Sequence, residues 1–554
     1  MNLLFLQLPR LDHDVTSPGE NNMLAAACLT AALERSETGK QWTVLPALSE
    51  QETGSDQALI TAMVKAQPDA IAATCYLWNI ERTLHLLACV RKLLPHVRIV
   101  LGGPEIADHH PLLKRSIADA LCIGEGEPLF PKILEEFQVS SFKFQKGRSA
   151  THIYRASEAK PIRLVDALPA PDHPINKPDA FGMAYLETNR GCPMKCAFCC
   201  YNLRRSATTC LEPDNVAERI RILRKRGAKE IRLVDPTFNA HPRFDEMLAM
   251  LRRVNRDKKI AFFVEIRADT LTDAQAKLMA QAGITEAEVG VQSTDPKVLR
   301  IIHRPLNEQK VWRGIEALLR HNIKPTVDFM YALPAQDAQD MQRSIDWLAR
   351  FGDAIHPQFL PTLLLPGTEL RDRAKELGLR AQPLPPYRVL ATDALSSAQL
   401  ARVEQTASEL LGGFDSPTPR FVSKRLAGLF NPRRLTEGHK DARTEEKNRA
   451  TRYFDFSYES LPAINETIKA AVNSEPHILW QFVLTVQEEF PLDILDELIA
   501  MIRELPGHWL DRLVSPLGQH KMVARRLLIK LAPQATIDAS WKDEAEYLLS
   551  EAFH

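Results

Sequence analysis

The sequence predicts an α/β protein in which two successive runs of strand and helix each build a parallel sheet, followed by a mainly helical tail. Three observations carry this. Short apolar runs alternate with amphipathic segments through residues 1–135, the same alternation resumes near residue 181 and continues to about 375, and helical periodicity dominates beyond that. A proline-rich, polar stretch ending in Leu168-Pro169-Ala170-Pro171-Asp172-His173-Pro174 separates the two runs. The boundaries read from these changes are 1–140, a linker over 141–180, 181–375, and 376–554.

In the first run the strand candidates are Leu3 to Leu8, Trp42 to Leu45, Ala70 to Cys75, Ile99 to Gly102 and Ala120 to Ile123, with helices near 22–35, 55–66, 80–94 and 110–118. Such a unit is doubly wound and Rossmann-like, and its ligands bind beyond the carboxyl ends of the strands. Those ends are Thr74-Cys75-Tyr76-Leu77-Trp78-Asn79, Gly102-Gly103-Pro104-Glu105 and Gly124-Glu125-Gly126-Glu127, where glycines let backbone approach a ligand closely. In the second run the strands are read at Ala184 to Thr188, Glu230 to Val234, Ala261 to Glu265, Glu286 to Val291, Thr326 to Met330 and Gln358 to Leu364. The tail contains helical patterns such as Leu492 to Leu505 and Lys521 to Leu531, and a charged stretch at Arg433 to Arg452.

Composition bounds the function. The 554 residues are 45% apolar and 25% charged, and 70 Lys and Arg balance 70 Asp and Glu. Zero net charge gives no electrostatic footprint for nucleic acid, and no apolar run reaches membrane-spanning length. The apolar N-terminus lacks the basic region and cleavage site of a signal peptide, so a cytoplasmic protein without nucleic-acid or membrane partners is expected. Of the nine cysteines, Cys28, Cys75, Cys89 and Cys122 are scattered through apolar segments and read as small core residues.

The chemistry concentrates in Glu187-Thr-Asn-Arg-Gly-Cys192-Pro-Met-Lys-Cys196-Ala-Phe198-Cys199. Three thiolates at Cys-x3-Cys-x2-Cys spacing on one loop after an apolar strand can hold three irons of a [4Fe-4S] cluster and leave the fourth open. A zinc knuckle, with Cys200 or Cys210 as fourth ligand, and reduced structural thiols are the alternatives, but the second paired motif of zinc ribbons is missing.

This spacing, with Phe198 before the last cysteine, resembles the signature of the radical S-adenosylmethionine (radical SAM) superfamily. The resemblance implies a partial (βα)6 barrel over the second run, SAM held on the open iron, and cleavage to a 5′-deoxyadenosyl radical with electrons from an external donor of flavodoxin or ferredoxin type. It also places SAM contacts at the strand ends: Glu265, Gln292, Arg304 and Asp328 match the coproporphyrinogen-dehydrogenase-like branch. Asp235-Pro236-Thr237-Phe238-Asn239 departs from the usual Gly-Gly-Glu-type segment, so backbone carbonyls or Asp235 would receive the SAM amino group.

The first run and its loops resemble the cobalamin-binding domain of cobalamin-dependent radical SAM enzymes, which implies cobalamin contacts at Thr74, Tyr76, Trp78, Gly102, Gly103, Glu105, Gly124, Glu125 and Gly126. The Asp-x-His-x-x-Gly motif that puts histidine on cobalt is absent, and His13 in Asp12-His13-Asp14 is a poor substitute. Pro385-Pro386-Tyr387 after the Pro366-Gly367-Thr368 turn also recurs in such proteins.

Together these imply methyl transfer to an unactivated carbon or phosphorus of a small-molecule biosynthetic intermediate. The alternatives are rearrangement, cyclisation or aminocarboxypropyl transfer, with cobalamin absent or relaying electrons, and a non-enzymatic sensor. No catalytic residue is assigned: Tyr331, Cys210, His241 and His303 each have an ordinary structural reading. The substrate, the axial ligand and the oligomeric state stay open.

Overall fold

The computed structural model describes residues 1–11, 23–51, 54–113, 117–138, 151–160, 162–179, 181–201, 208–410, 451–457, 461–514, 522–532 and 534–553. The Asp12-His13-Asp14 loop and most of the charged stretch from Arg433 lie outside these residues.

The first sheet is built from β1 (Asn2–Leu6), β2 (Thr43–Val44), β3 (Ala70–Thr74), β4 (Arg98–Gly102), β5 (Ala120–Ile123) and β6 (His152–Arg155), all parallel, in the order β2-β1-β3-β4-β5-β6. Alternate residues divide between two cores. Leu4, Leu6, Ile71, Ala73, Ile99 and Leu101 face one side, and Leu3, Phe5, Ala70, Ala72 and Val100 face the other. Both faces of a parallel sheet are covered, so its strands read as unbroken apolar runs.

Two expectations change here. The linker contributes β6, which pairs with β5, and the helix expected near 110–118 is a single 3-10 turn over Pro111–Leu113 among the described residues.

The second sheet contains β7 (Met183–Leu186), β10 (Glu230–Leu233), β11 (Ala261–Ile266), β12 (Ile284–Gln292), β13 (Lys324–Tyr331) and β14 (His356–Pro361) in the order β14-β13-β12-β11-β10-β7, again all parallel. A short antiparallel pair, β8 (Asn189–Arg190) and β9 (Thr209–Cys210), flanks the cysteine segment. The six strands form the expected partial barrel. Its outer residues Phe262, Val264, Ala287, Val289, Val327 and Phe329 join the helices in one core, while Glu265, Glu288 and Asp328 occupy the intervening, lumen-facing positions. Helix starts are fixed by local chemistry: Thr272 with Gln275 and Asp337 with Asp340 form capping boxes.

The C-terminal extension holds helices at 397–410, 461–474, 493–504 and 539–552. A hairpin of β15 (Arg380–Ala381) and β16 (Val389–Ala391) precedes them, and a three-stranded parallel sheet, β17 (Thr451–Ser457), β18 (Leu479–Val486) and β19 (Arg525–Leu531), lies among them. The helix read at Lys521 to Leu531 is therefore corrected to a strand over its described part. Arg525, Arg526, Leu527, Leu528 and Ile529 are all buried, because a strand covered on both faces shows no 3.6-residue period. Among the described residues no helix is long and apolar enough to cross a membrane.

Candidate active site

The cysteine segment follows β7 and is tied down on three sides. Ala197 N–H donates to Ile302 O at 3.0 Å, and Leu370 N–H donates to Ala197 O at 2.9 Å, through the turn that Thr368 caps. Phe198 packs against Val298, Leu299, Ile302 and Leu333. Arg267, at the end of β11, places Nη1 3.3 Å from Met194 Sδ. Cys192 Sγ lies 3.5 Å from Thr237 Oγ1, and Arg304 Nη1 donates to Cys196 Sγ at 3.4 Å.

The three thiols lie in one electrostatic neighbourhood. Burial pushes the Cys199 thiol up to about 12, with Cys200, Cys196 and Cys192 adding to it. Among the described residues no three His, Cys, Asp or Glu side chains are grouped to hold one metal ion. Three thiols on one loop beside a guanidinium have the donor chemistry of an iron-sulfur cluster, whose thiolate ligands bind different irons, and anionic sulfur is what the Arg304 donor stabilises.

Asp235 corrects one expectation. It is fully buried, and its Oδ1 accepts from the N–H groups of Thr188 at 2.7 Å and Asn189 at 2.9 Å, while Oδ2 accepts from the Thr188 hydroxyl. The carboxyl latches β10 to the start of the cysteine loop and has no surface left for a ligand. Burial pushes it up to about 7.

The other predicted SAM contacts converge in the lumen. Gln292 sits at φ 71°, beside a register shift between Gly290 and Gln292. A Cβ on Gly290 would lie 2.6 Å from Gln292 Nε2 and 2.9 Å from Arg304 Nη2, so the missing side chain lets amide and guanidinium meet over the strand. Arg304 Nη2 also donates to Gly290 O, and its Nε has no hydrogen-bond partner within the protein. Asp328 is buried with Oδ1 likewise unpaired. A cup with unpaired donor and acceptor beside the thiols fits the carboxylate and hydroxyl groups of SAM. Gly290→Ala is expected to displace Gln292 and Arg304 and to weaken SAM binding about tenfold or more, a loss of about 1.4 kcal/mol read by equilibrium binding.

Burial, with Glu288 and Asp235 nearby, pushes Glu265 from 4.5 up to about 7. The folded chain thus binds this proton more tightly than the unfolded chain, so stability falls as pH rises from 4.5 through 7 and stays lower above. Holding the carboxyl at about 7 costs about 3 kcal/mol above both values, at ~1.36 kcal/mol per pKa unit. Glu265→Gln is expected to melt higher than the parent at pH 8 and alike at pH 4, as scanning calorimetry would show.

At the ends of the first sheet several expected cobalamin contacts are otherwise engaged. Glu105 accepts from Tyr387 Oη at 2.7 Å and lies 3.0 Å from His110 Nε2, all three buried. Glu125 and Glu127 face Arg190 at 3.7 and 2.8 Å, and Arg190 also binds Glu187 bidentately at 2.8 Å. Their carboxylates therefore join the two sheets through the cysteine loop and the Pro-Pro-Tyr segment. Tyr76 and Trp78 stack on each other at 4.5 Å, and Trp78 packs against Leu479 and Trp509 of the C-terminal extension.

The glycines answer to the protein itself. A Cβ on Gly103, at φ 104°, would lie 2.6 Å from Cys75 O, one on Gly124 would lie 2.9 Å from Ala156 Cβ, and one on Gly126 would lie 2.8 Å from Leu29. Gly102 alone of the four leaves room, with Cys122 at 3.9 Å. Thr74 and Gly102 end adjacent paired strands, which fits a ligand laid across the strand ends; Glu105 and Glu125 do not fit as direct contacts.

The residues with two readings take structural places. The Tyr331 hydroxyl binds Glu404 and accepts from Arg388, His241 caps the backbone at Arg243, His303 pairs with Glu369 at the surface, and Cys210 lies in the β8–β9 pair. Glu288 is the lumen residue that sequence reasoning missed. Its signal was the inward alternation of Glu288, Gly290 and Gln292 on one strand.

Residues 186–348 match the radical SAM superfamily and residues 15–134 match the B12 binding domain. An uncharacterized methyltransferase of Pyrococcus horikoshii is 25% identical over 60% of this chain and 74% of its own length. The cobalamin-dependent radical SAM methyltransferase TokK of Streptomyces tokunonensis is 24% identical over 57% of this chain, a match spanning only 50% of TokK. The structure of the methyltransferase TsrM from Kitasatospora setae, with cobalamin and a [4Fe-4S] cluster bound, shares the fold at a TM-score of 0.53 and 16% identity, over 71% of this chain and 82% of TsrM. A radical SAM superfamily domain over residues 186–348 thus follows a B12 binding domain over residues 15–134, the domain pair of an enzyme of the kind that works with a [4Fe-4S] cluster, S-adenosylmethionine and cobalamin.

Proposed function

We propose that this enzyme methylates an unactivated carbon or phosphorus of a small-molecule biosynthetic intermediate, drawing electrons from a flavodoxin- or ferredoxin-type donor. The observation that carries the reading is the meeting of Arg304, Gln292 and Asp328 in the lumen beside Cys196, next to a first-sheet loop held against the cysteine segment by Arg190. When bound, the cofactors supply a 5′-deoxyadenosyl radical and a transferable methyl group.

The chain's own residues do the rest. Cys192, Cys196 and Cys199 hold the cluster, and Arg304 with its unpaired Nε clamps the SAM carboxylate. Asp328, Glu265 and Gln292 take the ribose side. Thr74 and Gly102 border the cobalamin face, and the Arg190 clamp keeps the two cofactor regions in register. The similarity to TokK, a cobalamin-dependent radical SAM methyltransferase, and to the uncharacterized methyltransferase of Pyrococcus supports methyl transfer over the other radical outcomes.

Anaerobically reconstituted protein is expected to hold about four irons and to show cobalamin absorbance. With methyl-labelled SAM and the true substrate, label should appear in product. Iron without cobalamin uptake, or transfer of the aminocarboxypropyl group instead, would sink the reading.

A further inference from the structure

Tyr387 lies in the Pro-Pro-Tyr segment beyond β14, yet its hydroxyl ends in the loop after β4 of the first sheet. It donates to Glu105 Oε2 at 2.7 Å, and His110 Nε2 lies 2.6 Å from the hydroxyl and 3.0 Å from the same Glu105 oxygen. His110 Nδ1 accepts from Leu112 N–H at 3.2 Å, so Nε2 is the nitrogen that carries hydrogen and donates. Glu105, His110 and Tyr387 are 3, 2 and 0% exposed, so solvent cannot replace a lost member of this closed ring of donors and acceptors.

The backbone at Tyr387 is strained. Its φ of 61° is in the left-handed region, where a large side chain is uncommon and persists only with support from its surroundings. Tyr387 O accepts from Leu364 N–H at 3.0 Å, and the Arg371 guanidinium lies 4.5 Å over the ring while donating to Leu364 O at 2.7 Å. Leu370, the residue before Arg371, is the one whose N–H anchors Ala197 of the cysteine loop. On the other side, Glu105 N–H donates to Cys75 O at 3.1 Å and Cys75 N–H to Gly102 O at 2.8 Å, which interlocks the loops after β3 and β4.

We propose that Tyr387 is a positioning residue for cobalamin: its hydroxyl, through Glu105, fixes the interlocked loops so that Thr74 and Gly102 present one rigid edge to the cofactor. This rests on the reading that cobalamin lies across those paired strand ends. Neither Glu105 nor Tyr387 needs to touch the cofactor. Burial and the Glu105 carboxylate push the Tyr387 hydroxyl up, so it stays a donor. The barrel side thereby completes the cobalamin site of the first domain, by a route separate from Arg190.

The test is titration of hydroxocobalamin into the full chain carrying its reconstituted cluster, followed by absorbance, with S-adenosylhomocysteine binding measured by calorimetry on the same samples. Tyr387→Phe keeps the ring under Arg371 and removes only the hydroxyl. It should bind cobalamin about tenfold more weakly, because buried Glu105 and His110 lose a shared partner, while S-adenosylhomocysteine affinity stays within about twofold. Glu105→Ala breaks the same contact from the first domain and should weaken cobalamin binding at least as much, and Tyr387→Phe added to it should bring no further loss. Glu105→Gln, which keeps an oxygen acceptor, should recover most of the affinity. Unchanged cobalamin affinity in Tyr387→Phe, equal losses for both ligands, or additive losses in the double variant overturns the proposal. Failure of the parent to take up cobalamin overturns the cofactor reading itself, and this inference with it.

Discussion

Replacing Cys192, Cys196 and Cys199 together by alanine is expected to bring bound iron from about four per chain to near zero and to reduce 5′-deoxyadenosine formation from SAM to background. The loop itself should survive, because the backbone bonds at Ala197 and the Phe198 contact remain when the Cys192 and Cys196 thiol contacts are lost. Unchanged far-ultraviolet circular dichroism with lost iron would therefore isolate the ligand role. Retention of iron and SAM cleavage by the triple variant would refute the cluster assignment.

Arg190→Ala is expected to cause the largest loss of stability of any single change outside the cluster. Arg190 is 16% exposed and is the shared cation for Glu125, Glu127 and Glu187, which are 15, 7 and 13% exposed. Removing it leaves three neighbouring carboxylates poorly hydrated and mutually repelling, a situation that costs about 3–5 kcal/mol. Guanidinium unfolding would measure it. Arg190→Lys should recover only part, since an ammonium keeps the charge but not the bidentate fork to Glu187. A loss under about 1 kcal/mol would place the pair among exposed ion pairs of little consequence and remove the clamp from the account of how the sheets are joined.

Much of the fold was legible in order along the chain. Strands Ala70–Thr74 and Ala120–Ile123 fall almost where their apolar runs predict. β6 was not legible: His152 and Ile153 are exposed, and an edge strand pairing on one side carries little pattern. β19 was misread because Leu527, Leu528 and Ile529 are all buried, and a continuous apolar run suits a buried helix or a buried strand equally until its neighbours are known.

The candidate site divides the same way. The cysteine spacing and the polar residues at successive strand ends are relations between near neighbours, so the sequence by itself determined a cluster loop and a lumen with acidic and amide groups. Which carboxylates remain free for ligands was decided only by the tertiary structure. Asp235 is taken by Thr188, 47 residues away, Glu105 by Tyr387, 282 away, and Glu127 by Arg190, 63 away. A carboxylate's chemistry depends on what solvates it or hydrogen-bonds it once buried, and those partners come from chain segments that only folding brings together.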